Sequence, residues 1–85
     1  MYIVFEVKKK MNMIFTDDTL FIDLKGDMDV VDINIIKERI FSVLDQYNID
    51  KIVLNTKGAF NINKKLIGNI KREYSMKYMG TFKII

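Results

Sequence analysis

The sequence predicts an α/β fold, a small mixed β-sheet with two helices on one face, and three observations predict it. The stretch Lys51–Thr56, Lys-Ile-Val-Leu-Asn-Thr, is short and aliphatic, and it is bounded by Asp50 and by Lys57-Gly58, which marks a buried strand. On each side of it apolar residues recur at three- and four-residue steps, the spacing of a helix with one buried stripe. Beyond each of those segments lies another short apolar run. Strand, helix, strand, helix, strand in so short a chain implies right-handed crossovers between parallel neighbours.

Taken in order, Tyr2–Val7 is β-branched and aromatic and reads as a strand. Lys8-Lys9-Lys10 reads as a solvated turn or a charged edge that guards against edge pairing. Residues 1–10 as a whole are an extra edge strand or an extension. Met11–Phe15 is a second strand. Thr16-Asp17-Asp18-Thr19 is a turn, because Asp side chains bond nearby backbone amides there. Leu20–Lys25 alternates: Leu20, Ile22 and Leu24 point one way, and Phe21, Asp23 and Lys25 the other, as in a half-buried strand hairpinned to Met11–Phe15. Gly26-Asp27-Met28-Asp29 ends it.

Asp29 or Asp32 caps a first helix that reaches about Tyr47, with the stripe Ile33, Ile36, Ile40, Val43, Leu44 and Tyr47. After Lys51–Thr56, the run Lys57-Gly58-Ala59-Phe60 reads as a loop. Asn61 or Asn63 caps a second helix over Lys64–Met79, whose stripe is Leu66 or Ile67, Ile70, Tyr74 and Tyr78. Gly68 weakens that helix by ~1 kcal/mol relative to Ala and reads as close packing against the sheet. Gly80 is placed at the C′ position, and Thr81–Ile85 is the last strand.

Composition narrows the function classes. The chain of 85 residues fits one domain with a modest core. It has no Cys and no His, which removes thiolate chemistry, the commonest general base and the commonest transition-metal ligand. No apolar run approaches the ~18 residues needed to span a bilayer. Met1–Val7 lacks the basic leader and small-residue cleavage site of a signal peptide, so the expected compartment is the cytoplasm. Charge is segregated. Residues 11–50 hold Asp17, Asp18, Asp23, Asp27, Asp29, Asp32, Glu38, Asp45 and Asp50 against Lys25, Lys37 and Arg39, whereas the sole acid after Asp50 is Glu73. Such a split suits a charged partner or head-to-tail self-association.

Four constellations bear on chemistry. Lys64, Lys65, Lys71, Arg72 and Lys77, on or near the outer face of the second helix, could bind phosphates of a nucleic acid, although Tyr74 and Tyr78 fall on its buried stripe. Asp27 and Asp29 form a carboxylate pair at a strand end; turn and cap roles account for them without catalysis. Gly26 and Gly58 belong to no phosphate-binding fingerprint and read as turn glycines. Met28, Met76 and Met79 form either an adaptable contact patch or core filling, and core filling is the expectation.

The run Leu20-Phe-Ile-Asp-Leu-Lys-Gly-Asp-Met-Asp29, then a helix, then Lys51-Ile-Val-Leu-Asn55, then a loop, helix and strand, resembles the STAS domain, the domain of bacterial anti-sigma-factor antagonists. Gly26-Asp27-Met28-Asp29 is similar to the Gly-Glu-Leu-Asp that ends the family's first long strand, and Val53-Leu54-Asn55 to its Val-Leu-Asp or Val-Leu-Asn. The family's next helix usually opens with Asp-Ser-Ser-Gly, whose second Ser is phosphorylated by the partner kinase. Here the matching run is Asn63-Lys64-Lys65-Leu66, and Lys65 cannot accept that phosphate. The family also continues past the final strand with a further helix, so part of the sheet or helix layer is expected to lie uncovered here.

The resemblance implies a non-enzymatic protein-interaction module with no cofactor, and an anti-sigma factor or related regulator as its partner. The expected contact surface is Met28, Asp29, Asn61, Asn63, Lys64, Lys65 and Gly68, and a homodimer is a reasonable companion for so small a core. The alternatives are a small nucleic-acid-binding protein using the basic second helix, or a structural subunit of a homo-oligomer.

Overall fold

The computed structural model describes residues 2–4 and 10–85. Its elements are β1 (Tyr2–Val4), β2 (Met11–Thr16), β3 (Thr19–Asp27), α1 (Val30–Gln46), β4 (Lys51–Phe60), α2 (Lys64–Lys77) and β5 (Thr81–Ile84). The strands lie in one sheet in the order of the chain. β1, β2 and β3 run antiparallel to their neighbours, and β3, β4 and β5 run parallel. The fold is the α/β arrangement expected, with the hairpin leading a βαβαβ core. Of the N-terminal stretch, Tyr2–Val4 pairs with β2 as an edge strand; the expectations for residues 5–9 fall outside the described residues.

One face of the sheet carries the core. Met11, Met13 and Phe15 of β2, Leu20, Ile22 and Leu24 of β3, Ile52 and Leu54 of β4, and Phe82 of β5 are buried at alternate positions. They pack under Ile33, Ile36, Ile40 and Leu44 of α1 and Ile67, Ile70 and Tyr74 of α2. Tyr74 stacks on Tyr78 and meets the Phe82 ring at a tilt, which ties α2 to β5. The opposite face carries a cross-strand row, Ile14–Phe21–Val53–Lys83, which no helix among the described residues covers. The stripe of α1 is narrower than its spacing suggested. Val43 is only half-buried, and Tyr47 is the exposed, extended cap beyond the last turn.

Both long parallel strands overrun their expected ends. Lys57–Phe60 is not a loop but the second half of β4, because β3 itself continues to Asp27 and offers Lys25, Gly26 and Asp27 as partners for Gly58, Ala59 and Phe60. The register shifts once. From Asp23 to Lys25 is two steps along β3, and from Asn55 to Gly58 is three along β4, so β4 carries a bulge. Asn55 Oδ1 accepts from the Lys57 amide within the bulge at 2.9 Å. Gly58 has a steric reason beside it: a Cβ there would stand 2.9 Å from the Leu24 carbonyl oxygen.

The other glycines also depart from expectation. α2 stops at Lys77, with Tyr78 as an extended cap. Gly80 is therefore not the residue at C′ and needs no left-handed backbone. Instead, a Cβ at Gly80 would overlap the Tyr74 hydroxyl and the Asp50 carbonyl. Gly68 does not pack against the sheet; it lies on the exposed side of α2, with nothing within 4 Å of where a Cβ would stand.

Candidate functional site

The carboxyl ends of β3 and β4 lie side by side and launch the two helices, so residues from two distant stretches converge at one end of the sheet. The Met28 amide donates to the Phe60 carbonyl at 3.1 Å, and Asn61 Nδ2 donates to Asp27 Oδ1 at 3.3 Å. Asn61 holds φ +55, a left-handed conformation that Asn tolerates better than other side-chain-bearing residues. Gly26, at φ +80, makes the matching bend on the other strand.

Each helix start is capped from within the chain. Asp29 accepts from the Asp32 amide at 2.8 Å, and the Asp29 amide donates to Asp32 Oδ2 at 3.2 Å, so the two candidate caps form one reciprocal capping box. Lys10 reaches the same point, donating to Asp32 Oδ2 at 2.8 Å and to the Asp27 carbonyl at 2.6 Å. That Lys10 hydrogen bond, with help from the Asp29 amide, holds the Asp32 carboxyl below the usual carboxylate range. Asn63, rather than Asn61, caps α2: its Oδ1 accepts from the Lys65 and Leu66 amides at 3.0 and 3.2 Å.

Asp27 thus serves a loop-to-loop bond and Asp29 a cap. Among the described residues no group of three or more acidic side chains converges as a cation would require.

Of the surface expected from sequence, Asp29, Asn61, Asn63, Lys64 and Lys65 are exposed at this end. Met28 is not part of it. Its side chain is 1% exposed and fills the core beneath the junction, so it cannot touch a partner. Gly68 is exposed but lies a turn further along α2, on the outer face of the helix layer. Met76 and Met79 are solvent-facing rather than core residues.

The basic residues of α2 also divide. Lys65 and Arg72 are exposed on the side away from Ile67, Ile70 and Tyr74, Lys64 and Lys71 are exposed on the flank of that buried stripe, and Lys77 leans 5.2 Å over the Phe41 ring of α1. Tyr74 is fully buried and stacked, so it offers no platform to a nucleic-acid base.

Sequence reasoning missed the apolar part of this end. Phe60, the last residue of β4, is 59% exposed, and Val30 and Val31 on the first turn of α1 are 54% and 65% exposed. The signal was present: Val-Val follows directly on Asp29 and precedes the buried stripe. Phe60 was hidden by the assignment of its segment to a loop. Beside the junction, Thr56, Ile62, Lys64, Ile67 and Ile84 line a cleft of about 250 Å³, mostly aliphatic with Lys64 at its lip.

No helix is long and apolar enough to cross a membrane among the described residues. No protein-family model matches the sequence. No curated protein matches it either. The fold does recur among solved structures. A protein described as "Crystal Structure Analysis of Mglu" superposes on 85% of this chain with a TM-score of 0.73 at 16% sequence identity. This chain spans 18% of that chain's length, and at such an identity the likeness is one of fold.

Proposed function

We propose that this domain is a non-enzymatic protein-interaction module of the STAS type, acting in the cytoplasm, which docks an acidic partner surface at the carboxyl ends of β3 and β4. The partner class suggested by the sequence resemblance is an anti-sigma factor or related regulator. The observation that carries the reading is the composition of that end. Phe60 and Val30 are exposed at the same end of the sheet as an aliphatic cleft that includes Lys64, and neither Lys64 nor Lys65 has an acidic partner among the described residues. Apolar anchors beside unpaired cations favour an acidic surface with an aliphatic or aromatic contact of its own.

One further feature supports it. The hydrogen bonds between Asp27 and Asn61 and between Met28 and Phe60 tie the two strand exits together without a bound ligand, which lowers the ordering that docking requires. Lys65 falls where the resembled family carries its phosphoacceptor, a departure that removes control by serine phosphorylation at that position from the proposal. The test is affinity capture from native cells with mass spectrometry, comparing wild type with Lys65→Glu and Phe60→Ser. The reading expects one protein retained in stoichiometric amount by wild type and lost with both variants. Retention that ignores both changes, or no retained protein, overturns it.

A further inference from the structure

The outer faces of the two helices carry one pair of opposite charges at matching height, Glu38 on α1 and Arg72 on α2. On α1, Ile35 and Glu38 point away from the buried Ile33, Ile36 and Ile40; on α2, Gly68 and Arg72 point away from the buried Ile67, Ile70 and Tyr74. Both helices follow parallel strands, so they run the same way, and they are nearly level. Lys37 pairs with Glu73 at 2.7 Å, and the Tyr78 hydroxyl donates to Asp45 Oδ1 at 3.1 Å. Counted from their first residues, Val30 and Lys64, Glu38 and Arg72 stand at the same height, and Ile35 stands one residue from the height of Gly68.

Glycine at position 68 has no explanation inside the chain. Its backbone is ordinary helix, nothing lies within 4 Å of its missing Cβ, and an exposed helical Gly costs about 1 kcal/mol relative to Ala. Neither Glu38 nor Arg72 has an ion-pair partner among the described residues. Ile35 and Met76 are 45% and 78% exposed on the same layer.

The geometry points to a second copy of this chain as the occupant of the helix layer. A two-fold axis running parallel to the helices, between the two layers, lays each α1 along the partner's α2 in the same direction and preserves height. Glu38 then meets Arg72 of the second copy, twice over, and Ile35 meets the gap left by Gly68. The groove of about 320 Å³ between α1 and α2, lined by Leu66, Ile70, Arg72 and Met76 among others, opens on the same layer. This surface is centred on Glu38, Gly68 and Arg72 rather than on Phe60 and the aliphatic cleft, and its test reads the mass of the isolated chain rather than capture of another protein.

Sedimentation equilibrium tests it. Wild type is expected at twice the chain mass of 10.0 kDa. Glu38→Arg and Arg72→Glu each set like charges together and raise the dimer Kd at least roughly tenfold. The double variant Glu38→Arg/Arg72→Glu restores the pairing, with a Kd within roughly threefold of wild type. Gly68→Leu closes the gap and gives a monomer whose Tm is no lower than that of wild type at equal low concentration. A wild type that is monomeric overturns the inference, including one that remains so while its α2 face captures a duplex oligonucleotide. A dimer indifferent to the charge reversals but broken by Phe21→Lys on the open sheet face overturns it as well.

Discussion

Asn61 donates to Asp27 across 3.3 Å although 34 positions separate them in the chain. The bond joins the exit of β3 to the exit of β4, and it depends on Asn61 holding a positive φ. Asn61→Gly keeps that backbone at low cost. Asn61→Val is expected to destabilise the domain by about 1–2 kcal/mol, since a β-branched residue resists the left-handed region. Urea unfolding of the two variants checks this; equal stabilities would remove the conformational argument for Asn61.

Gly68 and Gly80 make opposite predictions from the same substitution. Gly68→Ala meets open space within a helix and should stabilise the isolated domain by about 1 kcal/mol. Gly80→Ala forces a methyl group into the Tyr74 hydroxyl and the Asp50 carbonyl, and should cost at least about 1–3 kcal/mol through displaced packing. Thermal melts at low chain concentration compare the two directly.

The Tyr74 hydroxyl is buried and has no hydrogen-bond partner among the described residues. Tyr74→Phe should therefore leave stability at neutral pH within about 1 kcal/mol of wild type, or raise it, because no bond is lost and an unpaired polar group is removed. Burial, and then the nearby Asp50 charge, push the Tyr74 phenol above its ordinary value of 10.0. A raised folded-state value means that the stabilisation is complete below pH 10.0 and is lost as pH climbs through the folded value. The variant should show a shallower alkaline loss in melts across that range. A residual slope is expected from Tyr78, whose phenol is raised by burial and by its bond to Asp45.

Asp32 gives the acid-side counterpart. Its carboxyl is held low, chiefly by the Lys10 hydrogen bond, so its contribution is present above the unfolded value of 3.8 and is lost as pH falls through the lower folded value. Asp32→Asn should be less stable than wild type at pH 7, and the gap should close as pH falls below 3.8. Chemical denaturation across that window measures it; a gap that persists undiminished at the acid end would assign the loss to packing rather than charge.

Much of this molecule was legible in the sequence, and the limits have physical causes. Period-two alternation in Leu20–Lys25 and the three-four spacing of Ile33, Ile36 and Ile40 depend only on side-chain direction, so strands, helices and topology followed from them. The extension of β4 did not, because Lys57-Gly58-Ala59-Phe60 looks like a loop until β3 supplies backbone partners for it. Gly58, Gly68 and Gly80 are alike in sequence, yet one sits against a carbonyl, one faces solvent and one lies under a phenol; only three-dimensional neighbours separate them. Met28 belongs to the contact surface that the resemblance at Gly26–Asp29 implies, whereas its side-chain chemistry alone reads as core filling, and the core is where it lies. A single residue can point inward from an otherwise solvated turn, and no local pattern announces it. At the candidate site the polar residues were readable, but the exposed Phe60 was hidden by the missed strand.

The sheet is laid down in the order in which the ribosome makes it. Each strand leaving the exit tunnel finds its neighbour already formed, and none has to be inserted between two that came earlier. The nascent chain can therefore grow by accretion at one advancing edge, with α1 closing over the first three strands before β4 is finished. Arrested chains ending after β4 should already resist protease across β2, β3 and α1, while the growing edge remains the place where an unfinished copy is open to mispairing with another.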